Sequence, residues 1–305
     1  MNNKKLYKVY NDGGHFVASL SSDYFYSKKR TGTRSEPTEQ QKYFDEKYTQ
    51  LLMQGIKPNK LFLPLKDAML EKYPNIEDVN DFITKNIKRQ RHNYFSRIKR
   101  LKRKAYMNIW THWLTITYDS NKHDETSFKR KVKKCLSNLH SRRGWNFMYA
   151  FERGAETERL HLHAVVYIPQ GEMIGEIVEL KDYSIEQHKM QITHSNTFFA
   201  ERFGRNDFVE ITQEDIKQGK ILEYLTKYMT KNNEKIIYSR GIPTEVYCSI
   251  ADEDIASEMT DYVPKFVLFD DLINIFRDIF KVFKMKHKKE TRYILPISPP
   301  RLKAV

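Results

Sequence analysis

The stretch from Trp145 to Pro169, WNFMYAFERGAETERLHLHAVVYIP, constrains this chain more than any other. Two apolar runs flank the polar segment Gly154-Ala-Glu-Thr-Glu-Arg159, the pattern of two strands joined by a turn. Residues two apart on a strand share a face, so His161 and His163 point the same way. Glu152, near the end of the incoming strand, can lie across the hairpin from them. Two imidazoles and a carboxylate so placed can converge on one divalent ion. A histidine on a strand also has the simpler reading of a half-buried polar residue. The apolar Leu162 between the pair, the continuing strand Ala164-Val-Val-Tyr-Ile168 and the nearby carboxylate favour the cation site.

Downstream, Tyr224-Leu-Thr-Lys-Tyr-Met-Thr-Lys231 offers a nucleophile. Helical spacing of i, i+4 stacks Tyr224 on Tyr228 and, on an adjacent face, Lys227 on Lys231. Taken alone, the same pattern suits an amphipathic helix with half-buried tyrosines. Beside a metal hairpin its meaning changes. A tyrosine, with a free pKa of about 10, attacks at neutral pH only if a metal polarises its target and a cation favours the phenolate. Lys227 and Lys231 supply the positive charge, and a phosphodiester is the natural electrophile for such a site.

Charge supports a polyanionic partner: 53 Lys and Arg stand against 39 Asp and Glu, a formal net charge of +14. Between Asp81 and Asp119 there is no acidic residue at all. Lys88, Arg89, Arg91, Arg97, Lys99, Arg100 and Arg103 fall in that gap, where they form either a solvated helix face or a phosphate-binding surface, with Tyr94 and Phe95 available to stack or to pack. The two cysteines, Cys135 and Cys248, belong to no Cys-x-x-Cys pair, which excludes a zinc ribbon and a disulfide framework. No apolar run approaches the roughly 20 residues of a membrane span, and the start MNNKKLYKVYNDGG lacks the apolar segment of a signal peptide. The expectation is a soluble, cytoplasmic protein with no membrane partner.

Periodicity predicts an α+β chain. Residues 1 to 34 read as an irregular arm with a short strand at Lys8 to Tyr10. Helices follow: one capped by Ser35 or Thr38 and closed at Gly55, one over Leu65 to Tyr73, and a long one from Ile76 past Arg100. Trp110 to Tyr118 alternates as a strand, with Trp113, Thr115 and Thr117 on one face. A basic helix starting at Asp124 or Thr126 and ending at Gly144 leads into the histidine hairpin. Residues 170 to 205 look like an insertion, and Phe208 to Ile211 like another strand. Thr212 with Asp215 opens a helix from Gln213 to about Lys231, weakened in its middle by Gly219. A last strand at Ile236 to Ser239 and an apolar-faced helix over Phe266 to Phe283 complete the reading.

In combination these motifs resemble the HUH endonucleases, most closely the replication initiation proteins of microviruses, the small circular single-stranded DNA phages. Trp113-Leu-Thr-Ile-Thr-Tyr118 is similar to the family's first motif, His161-Leu-His163 to its His-hydrophobic-His motif with Glu152 as third ligand, and Tyr224 to Lys231 to its two-tyrosine motif. The resemblance covers about residues 106 to 247, with 170 to 205 a departure. It implies a central antiparallel sheet with flanking helices, and helical extensions at 1 to 105 and 248 to 305. It further implies Mg or Mn held by His161, His163 and Glu152, and catalysis by Tyr224 and Tyr228 with Lys227 and Lys231. The activity implied is rolling-circle initiation: site-specific nicking of single-stranded DNA at a replication origin through a 5′-phosphotyrosyl bond, then religation. Partners would be the origin strand and a host helicase and DNA polymerase, in a host bacterial cytoplasm if the chain is phage-encoded.

Three other readings stay open. A plasmid relaxase or two-tyrosine transposase keeps the chemistry and changes its context. A non-catalytic nucleic-acid-binding protein uses the same residues only to bind and pack. A metal-water hydrolase cuts without any protein-DNA adduct.

Overall fold

The computed structural model describes residues 7–20, 36–154, 159–184, 188–231, 235–248, 250, 255–259, 265–268 and 294–295. They fall into two compact units, one of Met1–Thr33, Arg100–Asn108 and Pro243–Val305, the other of Arg34–Lys99 and Ile109–Ile242. The architecture is mixed α+β.

The first unit begins with a hairpin, β1 (Tyr7–Asn11) and β2 (Phe16–Leu20), where the sequence suggested an irregular arm with one short strand. Alternation explains it: Tyr7, Val9, Phe16 and Ala18 are all buried in one apolar cluster.

The second unit opens with three helices: α1 (Glu39–Met53), α2 (Phe62–Lys72) and α3 (Val79–Tyr106), the last running on into the first unit. Thr38 begins α1 with a full capping box to Gln41. Phe44, Leu61, Leu65, Met69 and Ile83 bury their side chains together in a cluster of their own.

The rest of this unit is built on β3 (His112–Thr117), α4 (Glu125–Arg143), β4 (Asn146–Arg153) and β5 (Leu160–Tyr167). The Asp124 side chain caps α4, and Gly144 ends it in the left-handed conformation at φ 70°. The stretch expected to be an unpatterned insertion holds a hairpin, β6 (Ile177–Ser184) with β7 (Lys189–Asn196), and a short helix, α5 (Thr197–Phe203). It is no appendage, because Phe199 and Phe203 of α5 lie in the main core. Strand β8 (Asn206–Glu210) follows.

Where one helix was expected over 213 to 231, the chain forms two, α6 (Gln213–Lys217) and α7 (Lys220–Lys231). Gly219 takes φ 82° between them, a conformation that stops a right-handed helix and that glycine adopts without steric cost. The predicted capping box of Thr212 and Asp215 is present and opens α6. Strand β9 (Ile237–Tyr238) closes the unit.

The five strands order as β8-β3-β5-β4-β9, every pair antiparallel. One face carries Leu114 and Ile116 of β3, Phe147, Tyr149 and Phe151 of β4, and Leu160, Leu162, Ala164 and Val166 of β5. It is covered by Phe128, Val132, Leu136 and Leu139 of α4 and by α5. Alternation then sends Trp113, Thr115 and Thr117, Glu152, and His161 and His163 to the opposite face. Helix α7 packs against β4, with Leu222 and Leu225 buried.

Back in the first unit, β10 (Val246–Cys248), β11 (Ile255–Met259), β12 (Lys265–Leu268) and β13 (Ile294–Leu295) complete a sheet ordered β11-β12-β2-β1-β10-β13. Residues 265 to 268, partly read as the start of an apolar helix, are thus a strand paired with β2; the remainder of that reading, 269 to 283, lies outside the described residues. Among the described residues no helix is long and apolar enough to cross a membrane.

Candidate active site

The pairing of β4 with β5 places Glu152 directly opposite His161 and Ala150 opposite His163, so the carboxylate and both imidazoles share one end of one sheet face. Glu152 reaches diagonally to His163, its Oε2 lying 3.0 Å from the Nε2. The two imidazole rings lie nearly parallel, 6.1 Å apart at 24°.

Strand β3 backs the pair. Thr115 faces His163 and Thr117 faces His161 in the register, and each hydroxyl lies 3.2 Å from the Nδ1 of its histidine. Trp113, one step further along the same face, stacks on His163 at 5.7 Å and 22°. Alternation predicts that these three β3 residues share a face, but nothing in the local pattern says which strand lies beside them, so their bonds to the histidines are not legible in it.

Tyr224 on α7 comes to this cluster. Its hydroxyl lies 3.3 Å from Glu152 Oε2 and 3.3 Å from His163 Nε2, and its ring meets His163 and Trp113 edge-on at 5.0 and 5.5 Å. Lys227, Tyr228 and Lys231 follow on the same helix, with side chains outside what the structure describes.

Burial, followed by the positive charge of His163 when protonated, holds His161 below the usual imidazole pKa, with Glu152 pulling the other way. A neutral imidazole is the form that ligates a metal. Among the described residues no three His, Cys, Asp or Glu side chains already stand in an ion-holding arrangement; Glu152 and His163 touch directly instead. The donor chemistry nevertheless fits a divalent cation. Both Nδ1 atoms are occupied by threonine, which leaves the Nε2 atoms as the ligating ones beside a carboxylate, and a bound ion would take the place of the Glu152–His163 contact.

The candidate nucleic-acid contacts on α3 divide. Lys88, Arg91 and Lys99 are exposed, as is Phe95 at 59%, and spacing places these four along one side of the helix. Arg89 makes a two-pronged ion pair with Asp45 of α1, and Arg97 is half-buried. On the α3 segment that belongs to the first unit, Arg100 is exposed, whereas Arg103 lies over the Tyr10 ring at 3.7 Å and pairs with Glu245 at 3.4 Å.

Residues 111–233 match a family described as replication-associated protein, of the ORF2 type. That span runs from β3 through α7 and includes every residue of the cluster. No curated protein and no solved structure matches the chain.

Proposed function

We propose that this chain initiates rolling-circle DNA replication as a site-specific, metal-dependent nickase and religase of single-stranded DNA, of the HUH type found in microviruses. The observation that carries the reading is the Tyr224 hydroxyl, 3.3 Å from both Glu152 and His163. A tyrosine that only filled a helix face would have no reason to meet a carboxylate and an imidazole through its oxygen.

In this mechanism the Tyr224 oxygen attacks the scissile phosphorus. The bond from phosphorus to the 3′ oxygen breaks and a tyrosyl bond to the 5′ phosphate forms, conserving the phosphodiester for later closure. The hydroxyl proton leaves toward Glu152, which already accepts it in a hydrogen bond. Mg or Mn bound by His161, His163 and Glu152 supplies neutralising charge on the phosphate. Lys227 and Lys231 favour the phenolate, and Tyr228, one turn on, makes the second cut after a circuit of synthesis. The freed 3′ hydroxyl primes a host polymerase working with a host helicase. Lys88, Arg91, Lys99 and Arg100 hold the strand by its phosphates.

The test is a cleavage assay on single-stranded circles carrying candidate origins, with Mn or with EDTA, read on denaturing gels for DNA-linked protein. A metal-dependent adduct, reduced in Tyr224→Phe and Tyr228→Phe and absent in the double variant, is expected. Cuts without an adduct would replace the reading with a hydrolytic nuclease, and binding without cuts with a non-catalytic one.

A further inference from the structure

The two threonines of β3 have no part in the chemistry just described, yet each touches a histidine of the cluster. Register pairs Thr115 with His163 and Thr117 with His161, and both hydroxyl-to-Nδ1 distances are 3.2 Å. Threonine suits this position on two counts. Its branched Cβ favours a strand and restricts χ1, so the hydroxyl is delivered in a narrow range of directions. Its hydroxyl both donates and accepts, unlike a carboxylate or a carbonyl, which can only accept.

That double capacity matters because His163 must hold its proton on different nitrogens in two states. With Glu152 Oε2 at 3.0 Å from Nε2, a neutral His163 carries its proton on Nε2 and donates it to the carboxylate, so Nδ1 is a bare acceptor and Thr115 donates to it. When Nε2 becomes a metal ligand, the ring must be the Nδ1–H form, and the same hydroxyl then has to accept.

We infer that Thr115 and Thr117 are positioning residues that hold the two histidines in place in both tautomers, so that Glu152 can release His163 to a divalent cation without leaving a buried Nδ1 unpaired. The proton count of the ring is unchanged in the exchange: one proton leaves Nε2 for solvent, one arrives at Nδ1, and the hydroxyl turns from donor to acceptor. A buried ring nitrogen that loses its partner is costly, which is what a valine in place of either threonine would impose. This inference rests on the proposed metal site.

The test uses the full chain without DNA. Mn2+ affinity is followed by electron paramagnetic resonance in the wild type, in Thr115→Val with Thr117→Val, in the matching double serine variant, and in His161→Ala. Histidine 15N shifts report the tautomers without metal and with Mg2+. The double valine variant should lose about tenfold to a hundredfold in Mn2+ affinity, the usual scale for partners behind metal ligands. The serine variant, which keeps the hydroxyls, should stay within about twofold of wild type on the same reasoning. His163 should read Nε2–H without metal and Nδ1–H with it. Valine variants that bind Mn2+ like wild type while His161→Ala does not would overturn the threonine role and leave the metal site standing. A His161→Ala protein that binds as well as wild type would remove the metal site and this inference with it. A wild-type His163 already in the Nδ1–H form without metal would also sink the inference.

Discussion

Trp113 occupies the seam between the histidines and the tyrosine, one face on His163 and an edge contact with Tyr224. Aromatic contacts of this kind contribute about 0.5–1.5 kcal/mol each, so losing two of them should lower the rate of adduct formation about tenfold in Trp113→Ala. Trp113→Phe, which keeps a ring on His163, should recover most of that rate in single-turnover cleavage. Equal rates in wild type and Trp113→Ala would show that the indole only fills space. Alternation along Trp113 to Tyr118 shows which residues share its face, but the partners of those residues belong to β5 and α7, tens of residues away in the chain.

At the level of elements, the turn before α6 is the most exposed to pH. Asp215 accepts the backbone N–H and the hydroxyl of Thr212, and these bonds hold its carboxyl below the ordinary carboxylate pKa. A carboxylate whose pKa is depressed by folding stabilises the fold above its unfolded value, about 3.9 for Asp, and that contribution disappears as pH falls through the folded value. Asp215→Asn removes the titration and leaves a capping side chain. The gap in melting temperature between wild type and Asp215→Asn should therefore be largest near neutral pH and close below about pH 4. A gap independent of pH would mean the carboxylate charge contributes nothing. The cap itself was legible because Thr-x-x-Asp is a local signature. The division of the expected helix at Gly219 was not, since a glycine within a helical pattern is tolerated or becomes left-handed according to what the flanking segments bury.

For the whole molecule, the net charge of +14 sets the expectation that DNA binding is strongly salt-dependent. Each phosphate of a single strand that the protein no longer neutralises lowers the slope of log K against log salt by about 0.7, so replacing Lys88, Arg91 and Lys99 with glutamine should reduce it by about two. Arg89→Gln should instead lower thermal stability, because that guanidinium is engaged with Asp45. Fluorescence titrations with a single-stranded oligonucleotide at several salt concentrations separate these outcomes. An unchanged slope in the triple variant would make α3 an ordinary solvated helix. Composition and the acid-free run from 82 to 118 were enough to mark a basic helix. Two of its cations, Arg89 and Arg103, are instead claimed by Asp45 and Glu245, acids distant in sequence that no local pattern connects to them. Local periodicity is written residue by residue, and from it alone follow the histidine pair and Glu152 on a hairpin, the tyrosine helix and the α+β class. The place of β3 beside β5, the threonines behind the histidines and the arrival of Tyr224 at Glu152 were decided only in the tertiary structure. These depend on which distant segments bury the most apolar surface together, a property of the whole chain that no short stretch contains.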